Sequence, residues 1–166
     1  ERILLDVEVI KEDGSKHYLA VNDAVVARGQ LSKTIDLHLS LDGDEISKYR
    51  ADGLLFSTPT GSTAYSLSAG GPILAPKMEC ILMTPVCPHS LFSRSVLFSG
   101  ESELSVHVKI PEECCCVLTI DGEKNVPILA TDRVVIRKSD LKLKLALLHN
   151  RNFYKLLNEK LKERDF

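Results

Sequence analysis

The sequence lacks long apolar runs, a charge of one sign and any close grouping of metal-type ligands. No run is long enough to span a bilayer, and the N-terminal ERILLDVEVI has no signal-peptide organisation. The formal net charge is only -2, which leaves no electrostatic footprint for nucleic acid or for an anionic membrane surface. The five histidines (His17, His38, His89, His107, His149) stand far apart, and no C-x-x-C pair occurs. The five cysteines are an odd number, and Cys114, Cys115 and Cys116 are consecutive. Neighbours on a strand point to opposite faces and make a poor disulfide framework. Buried or edge-strand thiols in a reducing, cytoplasmic compartment fit this usage better than a metal site.

What is present is an ordinary globular composition. The 166 residues are 44% hydrophobic and 27% charged, enough for one domain with a real core or for two very small ones. The chain opens at once on strand-like sequence, which suggests a piece of something longer. Period-two alternation dominates. In LLDVEVI, Leu4 stands on one row and Leu5, Val7 and Val9 on the opposite one, with Asp6 and Glu8 sharing a row. EDGSK reads as a turn, and HYLAVNDAVVARG as a second extended stretch. TIDLHLSL places Ile35, Leu37, Leu39 and Leu41 on one face and runs into Asp42-Gly43, a type I′ hairpin dipeptide. ELSVHVKI, CVLTIDG, RVVIRKS and LKLKLALL follow. Many short strands between turns predict a mainly β chain, an antiparallel sandwich of two sheets.

Helical spacing occurs twice. One segment runs from about Thr63 to Ala69 and closes on Gly70-Gly71-Pro72. The other is the tail, Asn152 to Arg164, where Phe153, Leu156, Leu157 and Leu161 form an apolar stripe. That stripe packs either on the sandwich or on a neighbouring domain. The organisation expected is an all-β domain over 1–150 and a helical tail over 151–166.

One stretch, DGLLFSTPTGSTAYSLSAGGPI, gathers seven serine and threonine hydroxyls and four glycines. GLLF is a short strand, Pro59 keeps Thr58 extended, and Gly61 allows a bend. Ser62 or Thr63 would cap the following helix, with Thr60 beside them. Unpaired N–H groups at a helix start suit phosphate or hydroxyl ligands. The loop contains no lysine, so G-x-x-x-x-G-K-[ST] fails, as do G-x-S-x-G and S-x-x-K. It suits recognition without a nucleophile or cation of its own; a cap and a glycine-permitted turn explain it equally well on physics alone. Asn22-Asp23, Asp52, Asp121 and Glu123 are acceptors suited to ribose hydroxyls or amino groups, although Asp121-Gly122 is also a common turn pair.

The same stretch resembles the signature segment of the NAD kinases, and the resemblance continues in order through NDAVVARG, TPVCPHSLFSRSVLF and IDGEK, covering nearly the whole chain. It implies the all-β, C-terminal half of an enzyme that phosphorylates the 2′-hydroxyl of the NAD adenosine ribose. ATP or polyphosphate is the implied donor, with Mg²⁺ or another divalent cation. The family's G-G-D-G-T motif, whose aspartate acts as base, lies in a preceding α/β domain and does not occur here. No catalytic residue is therefore expected in this chain. The resemblance implies NAD contacts at Asn22, Asp23, Lys33, Arg50 and Asp52, the last commonly reaching into a neighbouring subunit's site. It also implies a pocket-lining run of Thr63, Ala64, Tyr65, Ser66, Leu67 and Ser68, with Tyr65 as stacking surface. Glu123 stands where many relatives have glutamine. A homodimer or homotetramer is expected. The alternative is a non-catalytic dinucleotide-binding or assembly module. A lipid-kinase relative fits less well, given Tyr65 and Asn22-Asp23.

Overall fold

The computed structural model describes residues 1–29, 34–90, 93–109, 116–146 and 152–162, with the side chains of 161 and 162 excepted. The described residues form twelve strands: β1 (Arg2–Lys11), β2 (Gly14–Ala20), β3 (Asp23–Arg28), β4 (Ile35–Leu41), β5 (Asp44–Ala51), β6 (Gly53–Ser57), β7 (Cys80–Val86), β8 (Val96–Ser99), β9 (Leu104–Lys109), β10 (Cys116–Ile120), β11 (Lys124–Ile128) and β12 (Arg133–Leu143). They form two six-stranded sheets, ordered β2-β1-β12-β9-β4-β5 and β11-β10-β3-β6-β7-β8. Every pairing is antiparallel. The mainly β, two-sheet sandwich expected from the alternation is the architecture found.

The alternating rows meet between the sheets. Leu5, Val7, Val9, Leu37, Leu39, Val106, Val108, Val134 and Ile136 face Ala24, Val26, Leu54, Phe56, Ile81, Met83 and Leu118, all at most 2% exposed. Each fully buried Leu, Ile or Phe contributes roughly 1.5–3 kcal/mol by leaving water. At one edge the Lys124 ammonium of β11 sits 4.6 Å from the centre of the Tyr18 ring on β2, bridging the sheets. Lys138 and Lys142 of β12 reach Glu79, at 3.1 and 3.0 Å, and Lys138 also pairs with Glu101.

Three expectations are corrected. HYLAVNDAVVARG is not one extended stretch: β2 ends at Ala20 and β3 begins at Asp23 in the other sheet, so the chain crosses the sandwich at Val21-Asn22. RVVIRKS and LKLKLALL are not separate strands; β12 runs unbroken to Leu143, and Leu147 and Leu148 lie outside the described residues. The helix expected over 63–69 is instead a 3-10 turn at Gly61–Thr63 followed by α1 (Tyr65–Ser68), because Ala64 breaks it with φ −93° and ψ −129°. The hairpin turns obey the sequence. Asp42 and Gly43 both have positive φ (50° and 94°), as do Asp121 and Gly122 (49° and 72°), the type I′ requirement. The tail forms α2 (Phe153–Lys162), with Leu156 37% exposed. Cys114, Cys115 and Lys33 lie outside the described residues.

Candidate functional site

The hydroxyl-rich loop is fastened to the chain's crossing between sheets. Thr58 Oγ1 donates to the Val21 carbonyl at 2.7 Å and accepts the Gly61 N–H at 3.0 Å, and the Thr58 N–H donates to the Asn22 carbonyl at 2.9 Å. Gly61 lies so close that a Cβ there would stand 2.0 Å from the Asn22 carbonyl oxygen; only glycine fits. Ser62 Oγ donates to the Pro59 carbonyl at 2.7 Å and accepts the Leu74 N–H at 3.0 Å. Ser66 Oγ is 3.0 Å from Thr84 Oγ1, which is in turn 3.1 Å from Ser95 Oγ.

The hydroxyls are therefore mostly committed to the protein itself. Ser57, Thr58, Ser62 and Ser66 are all fully buried. Neither Ser62 nor Thr63 caps a helix: the residue before α1 is Ala64, which has no capping side chain, and Thr63 Oγ1 instead points back to the Thr60 carbonyl at 3.4 Å. A four-residue helix also aligns too few peptide dipoles to carry the expected anion site. The break at Ala64 has a different effect. It turns Ala64 and Tyr65 outward, and Tyr65 remains 47% exposed.

That turn closes a cavity of about 390 Å³ on the outer face of the second sheet, lined by Asn22, Asp23, Val25, Ala27, Ala64, Tyr65, Thr119, Asp121 and Gly122. Alternation explains the floor: Ala24 and Val26 of β3 point into the core, so Asp23, Val25 and Ala27 point out. Thr119 of β10 pairs with Val25 and faces the same way.

Asp121 organises the mouth. Its carboxylate accepts the N–H groups of Val21, Asn22 and Asp23 at 2.8, 2.7 and 3.1 Å. Both its oxygens are thereby occupied, which makes it a scaffold for the crossing. Asp23 has the opposite character. The residue is 5% exposed, and burial together with the neighbouring Asp121 charge pushes its carboxyl pKa up to about 6. Thr119 Oγ1 donates to Asn125 Oδ1 at 2.8 Å, which leaves the hydroxyl oxygen as an acceptor beside the cavity. The polar set of the cavity is thus rich in acceptors and suits a ligand edge that donates hydroxyl or amino protons.

Of the residues singled out from the sequence, Asn22, Asp23, Ala64, Tyr65 and Asp121 meet at this cavity. Thr60, Thr63, Leu67 and Ser68 stand on the same loop and α1 but outside its lining, and buried Ser66 anchors α1 to β7. Glu123 is exposed in the turn beside Gly122. Asp52 is elsewhere. It immediately precedes β6, five residues from Ser57 of the Asp23–Ser57 pair, roughly 16 Å along the strand, and its carboxylate is 2.7 Å from Arg28 Nε. Arg50 lies on edge strand β5 of the other sheet, with two bonds to Asp36 at 2.9 and 3.1 Å that hold the Asp36 carboxyl below its ordinary range. It borders a separate open cleft of about 750 Å³ with His38, Lys48, His89 and Lys109. Within one copy of the chain, neither Arg50 nor Asp52 lines the cavity.

Thr119, Val25 and Ala27 were not singled out from the sequence. Their signal was the outward row of the two alternating strands, legible only once the face carrying the loop is known.

Comparison with known proteins gives one family. The ATP-NAD kinase C-terminal domain matches residues 21–148. An NAD kinase of Lachnoclostridium phytofermentans is 38% identical over 165 residues, spanning 96% of this chain and 58% of that protein. One from Acidobacterium capsulatum is 41% identical, over 98% of this chain and 57% of that protein. The chain therefore spans about half the length of the curated relatives it matches. Among solved structures, yeast NADH kinase complexed with NADH superposes with a TM-score of 0.84 at 28% identity, covering 99% of this chain and 51% of that one. An NAD kinase from Archaeoglobus fulgidus in complex with ATP gives a TM-score of 0.70 at 30% identity, covering 84% and 52%. A domain match across most of the chain, a shared sandwich and relatives of one activity agree: the chain belongs to the ATP-NAD kinase C-terminal domain family.

Proposed function

We propose that this chain is the NAD-binding and oligomer-forming half of an NAD kinase, which transfers a phosphoryl group from ATP or polyphosphate to the 2′-hydroxyl of the NAD adenosine ribose. The observation that carries this reading is the cavity itself, where Asn22-Asp23 and Ala64-Tyr65, two segments some forty residues apart, converge under an Asp121 clasp. Asn22 and Asp23 accept and donate at the ribose and amide groups, and the Tyr65 ring gives a face for stacking. Thr60, Thr63, Ser66, Leu67 and Ser68 shape and support that wall. Glu123 stands at the rim, and Lys33, outside the described residues, keeps its proposed basic contact.

Arg50 and Asp52 do not line the cavity of their own copy, which accords with a homodimer or homotetramer in which they complete a neighbour's site. The catalytic aspartate belongs to a G-G-D-G-T segment that this sequence does not contain. The residues here therefore bind and orient the acceptor and do not activate it. A divalent cation is implied by the family resemblance, but the described residues do not fit one: no group of three His, Cys, Asp or Glu side chains is placed to hold a metal, and both Asp121 oxygens are already occupied. Among the described residues no helix is long and apolar enough to cross a membrane, and a cytoplasmic location accords with NADP biosynthesis.

Calorimetric titration of the chain with NAD, with its mass in solution measured in parallel, tests the reading. Binding by an oligomer that is clearly weakened in Asp23→Ala and Tyr65→Ala supports it. A folded oligomer that binds NAD unchanged in both variants overturns the assignment of this cavity.

A further inference from the structure

Ser57 of β6 stands directly across from Asp23 of β3 on the outer face of the second sheet. The Thr58 N–H bond to the Asn22 carbonyl, at 2.9 Å, brackets this pair and marks it as the narrow kind in an antiparallel ladder. In such pairs the Cα atoms lie roughly 4.5 Å apart and the side chains touch most closely. Both side chains are buried, Ser57 fully and Asp23 to within 5% of its surface. Among the described residues, Ser57 Oγ is the buried side-chain polar atom without a hydrogen-bond partner. An unpaired buried hydroxyl is destabilising, and alanine at this position would avoid the cost, so the hydroxyl points to a partner that engages in another state of the site.

Asp23 supplies that state. Its N–H is fixed by Asp121, but its carboxylate accepts no hydrogen bond from the described residues. The groups that face it are Asp121 from the turn after β10 and Tyr65 from α1, neither of which offers a cation. Burial and the Asp121 charge both favour the protonated acid. An ionised Asp23 therefore needs a donor, and Ser57 holds an uncommitted one across the strand. We propose that Ser57 is a positioning residue for Asp23, its hydroxyl donating to the carboxylate once that group ionises. One carboxylate oxygen is then held, and the other faces the cavity to accept a donor of the bound ligand.

The functional consequence rests on the dinucleotide reading; the Ser57–Asp23 bond does not, and the test separates them. Titration of the Asp23 carboxyl carbon by NMR in the whole chain, without ligand, reads the bond directly. Ser57→Ala is expected to move the Asp23 midpoint upward, Ser57→Cys to do the same with a poorer donor, and Ser57→Thr to restore it. NAD affinity in Ser57→Ala should fall about five-fold near pH 5 and recover toward pH 7.5, where Asp23 ionises without help; a purely structural defect would not close with pH. Equal Asp23 midpoints in the unsubstituted protein and in folded Ser57→Ala or Ser57→Cys would overturn the proposal, whether or not NAD binds. A moved midpoint with no NAD binding at any pH would keep the Ser57 role and remove the dinucleotide reading instead.

Discussion

Asp121 and Asp23 hold each other by the backbone: the Asp121 N–H donates to the Asp23 carbonyl at 2.9 Å, and the Asp121 carboxylate accepts the Asp23 N–H at 3.1 Å. The same carboxylate takes the N–H groups of Val21 and Asn22. One side chain on the β10–β11 turn thus fixes the crossing between sheets and the floor of the cavity.

Removing that carboxylate should therefore unfold the crossing first. Asp121→Gly keeps the positive φ of 49° accessible but strands three partly buried N–H groups, and should cost about 3 kcal/mol in urea denaturation. Asp121→Asn, which keeps one acceptor oxygen and tolerates the same φ, should cost less. Equal stability of the glycine variant and the parent protein would count against the clasp.

Asp23 makes stability fall as pH rises. An acid whose folded pKa, here about 6, exceeds its ordinary value of 3.8 binds more protons folded than unfolded between those values. Its ionisation then opposes folding by up to about 3 kcal/mol above pH 6, and by nothing below pH 4. Asp23→Asn should accordingly stabilise the chain by about 1–3 kcal/mol at pH 7.5 and leave it unchanged near pH 4. The same variant should weaken NAD binding, because the amide lacks the acceptor charge. Denaturant midpoints at the two pH values decide the sign.

Gly61→Ala tests the close approach of the loop to the crossing. With the added Cβ 2.0 Å from the Asn22 carbonyl oxygen, and backbone atoms on that side, the loop must move away. A loss of about 3 kcal/mol, at the upper end for overpacking, is expected in thermal unfolding, together with loss of the cavity's ligand.

Tyr65 should separate function from stability. It is half-exposed, so Tyr65→Ala should change stability by less than about 0.5 kcal/mol while lowering NAD affinity roughly ten-fold. Parallel calorimetric titration and thermal melts give both numbers; a large melt shift with unchanged affinity would make Tyr65 a packing residue.

The cysteines differ in reactivity by burial. Burial pushes the Cys116 thiol up to about 12 and raises that of Cys80, whereas Cys87 is exposed. Brief alkylation at pH 7.5 with peptide mapping should label Cys87 and spare Cys80 and Cys116 until the chain is denatured.

The sequence by itself determined the two-sheet β architecture, because rows such as Leu37-Leu39 and Leu5-Val7-Val9 alternate with the pleat and leave one face apolar. It determined the Asp42-Gly43 and Asp121-Gly122 turns, because few residue pairs accept two positive φ angles. The STPTGSTAY stretch also marked the segment that walls the cavity. Only the tertiary structure decided which hydroxyls are available. Ser62 and Ser66 look like ligand donors in the sequence and are buried braces in the fold, since a loop lying on a sheet must pair its own polar groups before it can offer any. Nor was the role of Asp121 legible, because its three partners lie about a hundred residues away. The separation of Arg50 and Asp52 from Asp23 likewise appears only when strand register places them at opposite ends and on different sheets.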